Sequence, residues 1–269
     1  MTPRQFRLPK DIPLEEYPAP ETYLDEARRL IDAAQQQGLI LRVMGPIALH
    51  YYFPERVDLY RRMERLGDRV FTDIDFAGYG KQRGKMIPFF ESQGYEIERR
   101  ALMVSGGDRH IYFGDRIPMI DVFFDRLNYN HPVDYRGRLE LHPLCVSLTD
   151  LLLQKLQIVA INDKDLKDAM FLLLGAAISE SEAEAIDARY LAKLFSDDWG
   201  FYHTAVGNLE KVRLGTSGVA ALAEHDRAVI ARQTEALLQA IEAAPKSGGW
   251  QKRAKVGTSK RWYNEVGDW

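Results

Sequence analysis

The stretch Arg69-Val70-Phe71-Thr72-Asp73-Ile74-Asp75-Phe76 decides how the rest of the chain is read. Its apolar and β-branched residues, Val70, Phe71, Thr72, Ile74 and Phe76, predict a strand. Residues two apart in a strand share a face, so Asp73 and Asp75 present both carboxylates on one side. Like charges that close repel, and each is better placed in water or beside a cation. Hydrated Mg²⁺ takes hard oxygen ligands and keeps open positions for phosphate oxygens, so the pair is a candidate metal platform for phosphoryl transfer. A solvated edge strand carrying two acids is the plainer reading of Asp-x-Asp alone. A second acid strand and a phosphate-binding turn are what favour the metal.

The second acid strand is Met119-Ile120-Asp121-Val122-Phe123-Phe124-Asp125. Asp121 sits among bulky apolar residues, where a carboxylate needs an arginine, a hydrogen-bond network or a metal. As a third acid it would complete a metal site and could take a proton from an attacking hydroxyl. The alternative is a salt bridge to Arg116 or Arg99. Asp125, at the strand end, reads as solvated. The turn is Gly45, between a short buried strand (Leu39–Met44) and a helix beginning at Pro46–Ile47. Glycine lets backbone approach a ligand and the helix start offers N–H groups to phosphate, although Pro46 removes one donor.

Farther on, Lys155 falls on the apolar stripe of a leucine-rich helix with Leu148, Leu151, Leu152, Ile158 and Val159. Its ammonium either snorkels to an edge or meets an anion, for which an NTP phosphate is one candidate. Lys164-Asp165 and Asp168 open the next helix. Asp165 suffices as a capping acid, and Asp168 could pair with Lys155 or a ligand.

The chain has 269 residues, 46% hydrophobic and 28% charged, with a net charge of −3. These values describe an ordinary globular protein and speak against a general nucleic-acid binder. No apolar run of membrane-spanning length and no secretory signal is present, which predicts a cytoplasmic protein. The single Cys145 excludes an internal disulfide and a cysteine-rich zinc site and reads as a buried, inert thiol.

Helix and strand patterns alternate up to about Arg126: a helix at 21–37, then strands and helices, then three successive strands at Tyr95–Val104, Arg109–Phe113 and Arg116–Phe124. Asn128–Arg138 reads as a polar loop, and from Ser147 onward the pattern is almost wholly helical, including Glu180–Phe195 and Val219–Ala244. The fold class expected is α+β: a small mixed sheet with helices on one face, followed by a helical domain. The expected division is an irregular arm (1–20), a sheet domain (21–140), a helical domain (141–245) and a basic tail (246–269) holding Trp250, Trp262, Tyr263 and Trp269.

These elements together resemble the polymerase-β-like nucleotidyltransferase superfamily, in particular its AbiEii-type (minimal nucleotidyltransferase toxin-like) branch. The resemblance rests on Met44-Gly45-Pro46-Ile47-Ala48-Leu49, on Arg69 before Asp73-Ile74-Asp75-Phe76, on Ile120-Asp121-Val122, on Lys155, and on Lys164-Asp165-Leu166-Lys167-Asp168. It runs from about Leu39 to Leu174. It implies that Asp73, Asp75 and Asp121 hold Mg²⁺ and are catalytic, while Gly45, Arg69, Thr72, Lys155, Lys164 and Asp168 contact substrate. NMP would pass from an NTP to an acceptor hydroxyl of RNA, protein or a small molecule. The acceptor stays open, with tRNA among the candidates, as do the oligomeric state and whether an antitoxin protein binds.

Two positions depart from the family pattern. Pro46 stands where Ser or Gly is usual, and Phe71 stands where a small hydroxyl residue is usual, with Thr72 beside it. Both departures open the alternative of a non-transferring module that binds RNA or a partner protein through its cleft or its basic, aromatic tail. For that tail, packing of its tryptophans on a neighbouring helix or subunit is the competing expectation. A metal-dependent nuclease is a third class, since acids on neighbouring strands also suit phosphodiester hydrolysis.

Overall fold

The structure, a computed structural model, describes residues 11–182 and 184–266, without the side chains of Leu14 and Asp68; residues 1–10 of the expected arm and Trp269 of the tail lie outside the described residues. The protein is α+β, with a mixed sheet and a large helical part. It forms two compact units, each assembled from non-contiguous segments: 1–52, 66–127 and 134–146 in the first, 53–65, 128–133 and 147–269 in the second.

In the first unit, α1 (Pro20–Gln36) opens with proline, whose fixed φ suits a first turn, and buries Tyr23, Ala27, Leu30, Ile31 and Ala34. Strand β1 (Leu41–Val43) and helix α2 (Gly45–Tyr52) follow. The chain then contributes α3 (Val57–Arg62) to the second unit and continues through β2 (Arg65–Asp68) to β3 (Ile74–Gly78). The strand expected at 69–76 therefore begins only at Ile74, and Asp73 stands immediately before it. Next come α4 (Arg83–Ser92), β4 (Glu96–Ile97), α5 (Arg99–Ser105), β5 (Arg109–Phe113) and β6 (Met119–Phe124).

The five-stranded sheet has the order β1-β3-β6-β5-β4. Only β3 and β6 are parallel; the other pairs run antiparallel. Register puts Ile74, Phe76, Ile120, Val122, His110 and Tyr112 on one face. Phe90 of α4 lies against that face, stacked on Tyr112 at 4.2 Å and 6.5 Å from Phe76. Burying each such aromatic stabilises the fold by roughly 1.5–3 kcal/mol, which fixes which way the strands face. Asp75, Asp121 and Arg109 are thereby committed to the opposite face. At the outer side of β1, Val43 bridges the Cys145 segment, where Cys145 is fully buried and its thiol is pushed well above its ordinary value by that burial.

Two further expectations are corrected. Tyr95–Val104 is not one strand: pairing stops at Ile97, and α5 begins where the Glu98 carboxylate accepts from the Ala101 N–H. That side-chain cap outweighs the apolar alternation. Asn128–Arg138 is not wholly loop, because β7 (Arg126–Asn128) and β8 (Pro132–Asp134) pair as a two-stranded ladder.

The second unit is largely helical. Helix α6 (Leu148–Leu156) starts where the Ser147 hydroxyl accepts from the Asp150 N–H at 3.1 Å. Helix α7 (Asp163–Gly175) starts where the Asn162 side chain accepts from the Asp165 N–H at 3.0 Å. Short parallel strands β9 (Ala177–Ser179) and β10 (Ala185–Asp187) then precede α8 (Ala188–Asp197), so the helix expected from Glu180 begins only after the Asp187 cap. Helix α9 (Trp199–Gly215) falls in a stretch left unassigned by pattern. Its Gly200 is required, since a Cβ there would meet the Trp262 carbonyl oxygen at 2.4 Å. Helices α10 (Glu224–Ala243) and α11 (Gly248–Val256) complete the unit. Among the described residues, no helix is long and apolar enough to cross a membrane.

Candidate metal centre

Strands β3 and β6 lie side by side with Asp75 paired to Asp121. In a parallel ladder, paired residues share a face and adjacent strands are about 4.8 Å apart, so the two carboxylates are brought together by backbone geometry alone. Asp73, two residues before Asp75, comes to the same side. Carboxylate oxygens of Asp73, Asp75 and Asp121 all lie within 4.8 Å of one another. Asp121 is 3% exposed, whereas Asp73 and Asp75 are half-buried.

The expected alternatives for the partner of Asp121 were Arg116 and Arg99; the residue found is Arg109. Its Nη2 donates to Oδ2 at 2.6 Å and its Nε to Oδ1 at 3.2 Å. Register explains this: Ile111 stands opposite Asp121, so Arg109 lies diagonally across the β5–β6 pair within reach of a long side chain. Arg116 instead pairs with the buried Glu26 at 2.9 Å. Burial pushes the Asp121 carboxyl up to about 6, against the pull of Arg109 and with a further push from Asp73.

Gly45 opens α2 with φ +60°, a left-handed conformation that favours glycine. A Cβ built there would lie 3.5 Å from Asp75 Oδ2, and the Met44 N–H donates to the Asp75 carbonyl at 2.8 Å. The start of α2 is therefore beside the acids. Thr72 donates its hydroxyl to Asp73 Oδ1 at 3.0 Å. Arg69 faces the preceding segment, its guanidinium over the Tyr17 ring at 4.5 Å and donating to the Ile12 carbonyl at 3.2 Å. Asp125, expected to be solvated, accepts from the Gly80 N–H at 3.0 Å.

In the second unit, Lys155 meets two protein anions, Asp165 at 2.9 Å and Asp168 at 2.8 Å. Asp168, with no exposed surface, also binds Arg65 at 2.7 Å and accepts from the Tyr60 hydroxyl at 2.7 Å. The ammonium of Lys155 is raised by these carboxylates despite burial, and the Asp168 carboxyl is held low by Lys155 and Arg65. Of the two fates weighed for Lys155, the structure shows it meeting anions, and both belong to the protein. Lys164 is exposed.

No family model matches the chain, and no curated protein matches it. Among solved structures, one described as the solution structure of the antibiotic-resistance factor ANT(2'')-Ia, with substrate-regulated conformation dynamics, aligns at a TM-score of 0.38 and 14% identity. The alignment covers 68% of this chain and 96% of that one. A likeness of that size carries no inference about chemistry, which rests on the residues of the chain itself.

Proposed function

We propose that Asp73, Asp75 and Asp121 form the divalent-metal centre of a nucleotidyltransferase, which moves NMP from an NTP to an acceptor hydroxyl. The observation that carries this reading is the convergence of three carboxylates, drawn from two segments far apart in sequence, within 4.8 Å on one face of the sheet. The motif order from Gly45 to Asp168 supports the polymerase-β-like superfamily and its AbiEii-type branch.

The donor set suits Mg²⁺, being all oxygen and closely grouped. Bound there, Mg²⁺ would offset triphosphate charge and polarise the α-phosphate. Asp73 and Asp75, both half-buried, would be ligands to it. Asp121 would accept the proton of the acceptor hydroxyl as that oxygen bonds to the α-phosphorus. The bond from that phosphorus to the bridging oxygen breaks, and pyrophosphate leaves with the electron pair. Arg109 orients the Asp121 carboxylate. Gly45 keeps side-chain atoms away from Asp75 and leaves first-turn N–H groups of α2, apart from that of Pro46, for phosphate oxygens. Thr72 fixes the Asp73 carboxylate. Arg69, Lys155, Lys164 and Asp168 enter the reading through the motif resemblance.

Incubation with each α-labelled NTP and Mg²⁺, alone and with tRNA, tests the proposal. Label transfer with pyrophosphate release is expected in the native protein and not in Asp73→Asn. Absence of transfer and of pyrophosphate with every nucleotide and acceptor would overturn it.

Two observations favour a second reading. The two-pronged grip of Arg109 supplies a cation to Asp121 from within the protein, and Pro46 removes a phosphate donor. A non-transferring module that binds RNA or a partner protein would retain its partner and release no pyrophosphate from any NTP.

A further inference from the structure

Of the three acids, Asp75 and Asp121 are fixed by strand pairing, while Asp73 stands outside the ladder, one residue before β3 begins. The segment that carries Asp73 packs on α1 and on the approach to it. Arg69 lies over the Tyr17 ring at 4.5 Å and donates to the Ile12 carbonyl at 3.2 Å. Phe71, itself buried, packs against the Tyr23 ring of α1 at 5.7 Å and the His50 ring of α2 at 4.7 Å. Tyr23 is thus held by ring packing on a residue two before Asp73.

That packing does not require the hydroxyl Tyr23 carries. The residue is 1% exposed, and its hydroxyl oxygen has no hydrogen-bond partner among the described residues. Phenylalanine would make the same ring contacts without burying an unpaired polar group. The buried hydroxyls of Tyr95 and Tyr60, by contrast, donate to Glu26 and Asp168, both at 2.7 Å. The Tyr23 hydroxyl also lies in the field of the Asp73 segment. Burial pushes its phenol well above the ordinary value, Tyr17 and Asp73 push it further, and Arg69 pulls it back. Tyr23 therefore stays a neutral donor within the field of Asp73.

On the reading of Asp73, Asp75 and Asp121 as metal ligands, we infer that Tyr23 is a positioning residue: its hydroxyl donates to the Asp73 carboxylate when a divalent cation draws that carboxylate into the site. Carboxylates that ligate a metal are themselves held by hydrogen bonds from surrounding groups. Thr72 supplies one such bond, to Asp73 Oδ1 at 3.0 Å, and strand pairing does not reach the residue. The buried phenol supplies a second donor. The metal-free protein carries the cost of that unpaired hydroxyl, and the loaded protein recovers it.

The experiment measures two quantities on the full chain and on Tyr23→Phe: the melting temperature in metal-free buffer, and the affinity for Mn²⁺ alone, from the electron paramagnetic resonance signal of the free ion. Tyr23→Phe is expected to melt about 2–4 °C higher than the native chain, because it loses an unpaired buried hydroxyl. It is expected to bind Mn²⁺ about tenfold more weakly, a change that a merely structural role would not produce. Tyr95→Phe, which removes a hydroxyl already paired with Glu26, melts lower and binds Mn²⁺ as the native chain does. Native Mn²⁺ affinity in Tyr23→Phe, with binding lost in Asp73→Asn, would overturn the role of Tyr23 and leave the metal centre standing. A lower melting temperature for Tyr23→Phe would also overturn it, since the hydroxyl would then have a structural partner. No Mn²⁺ binding by the native chain would overturn both.

Discussion

Asp75 and Asp121 are cross-strand partners in the one parallel pairing of the five-stranded sheet, and Arg109 grips the second of them from the far side. The parallel pairing brings two acids to the same level of the same face, and Arg109 offsets one of them. Asp73 adds a third negative charge within 4.8 Å. Such a cluster is costly to assemble, and the cost is relieved when one charge is removed. Asp75→Asn is therefore expected to raise the unfolding free energy in metal-free buffer by about 1 kcal/mol while abolishing transfer. Urea denaturation with and without EDTA checks the first part and pyrophosphate release the second.

Arg109→Gln takes away the counter-charge that holds Asp121 in place. The Asp121 carboxyl, already raised to about 6 by burial, is expected to rise further. A group with a raised folded value stabilises below its unfolded value and loses that contribution as pH climbs through the folded one. The penalty for Arg109→Gln is therefore largest above neutrality, roughly 3 kcal/mol at pH ~8, and shrinks toward pH ~5 where the carboxyl is neutral. Denaturant midpoints across that range measure it. A penalty that grew on acidification would contradict the assignment.

Lys155 is expected to be a structural linchpin of the second unit. Lys155→Met leaves Asp165 and Asp168 with one cation, Arg65, in a buried setting. Removing one member of such a cluster costs about 3–5 kcal/mol, enough to lower the melting temperature by several degrees. The double change Lys155→Met/Asp168→Asn should recover part of the loss, because it removes the stranded charge as well.

His110 and His131 set the acid limit of stability. Burial lowers each imidazole to about 4. His110 lies beside the Tyr112 hydroxyl at 2.8 Å, and His131 beside Thr204 Oγ1 at 2.9 Å and stacked on Phe201. As pH falls from about 6.5 toward 4, the unfolded chain takes up these protons and the folded one does not. Stability is lost across that window, by up to roughly 3 kcal/mol per histidine. Replacing His131 with Gln should flatten the profile between neutrality and pH ~5 in urea titrations.

The facing of the acids was legible in the sequence because it depends only on the two-residue repeat of a strand. Once Ile74, Phe76, Ile120 and Val122 are committed to the core, Asp75 and Asp121 must face the other way. Arg109 was not legible as the partner of Asp121, because the choice among Arg99, Arg109 and Arg116 depends on hairpin register, which the turn between β5 and β6 sets and no local pattern reports. Helix α5 was hidden by apolar alternation that a Glu98 cap overrides. Helix α9 was hidden by Gly200 and Gly207, the first explained only by the approach of a backbone 62 residues later. The anions around Lys155 were legible as candidates by charge, but Arg65 and Tyr60 come from a segment that packs outside its sequence neighbourhood.

The convergence of carboxylates on a shared cation is tested most directly by titrating Mn²⁺ into the protein with NTP present and following the electron paramagnetic resonance signal of the free ion. Saturable loss of that signal in the native chain, with little loss in Asp73→Asn and in Asp121→Asn, is the result expected. Equal loss in all three proteins, or none in the native one, would mean that these acids hold no metal.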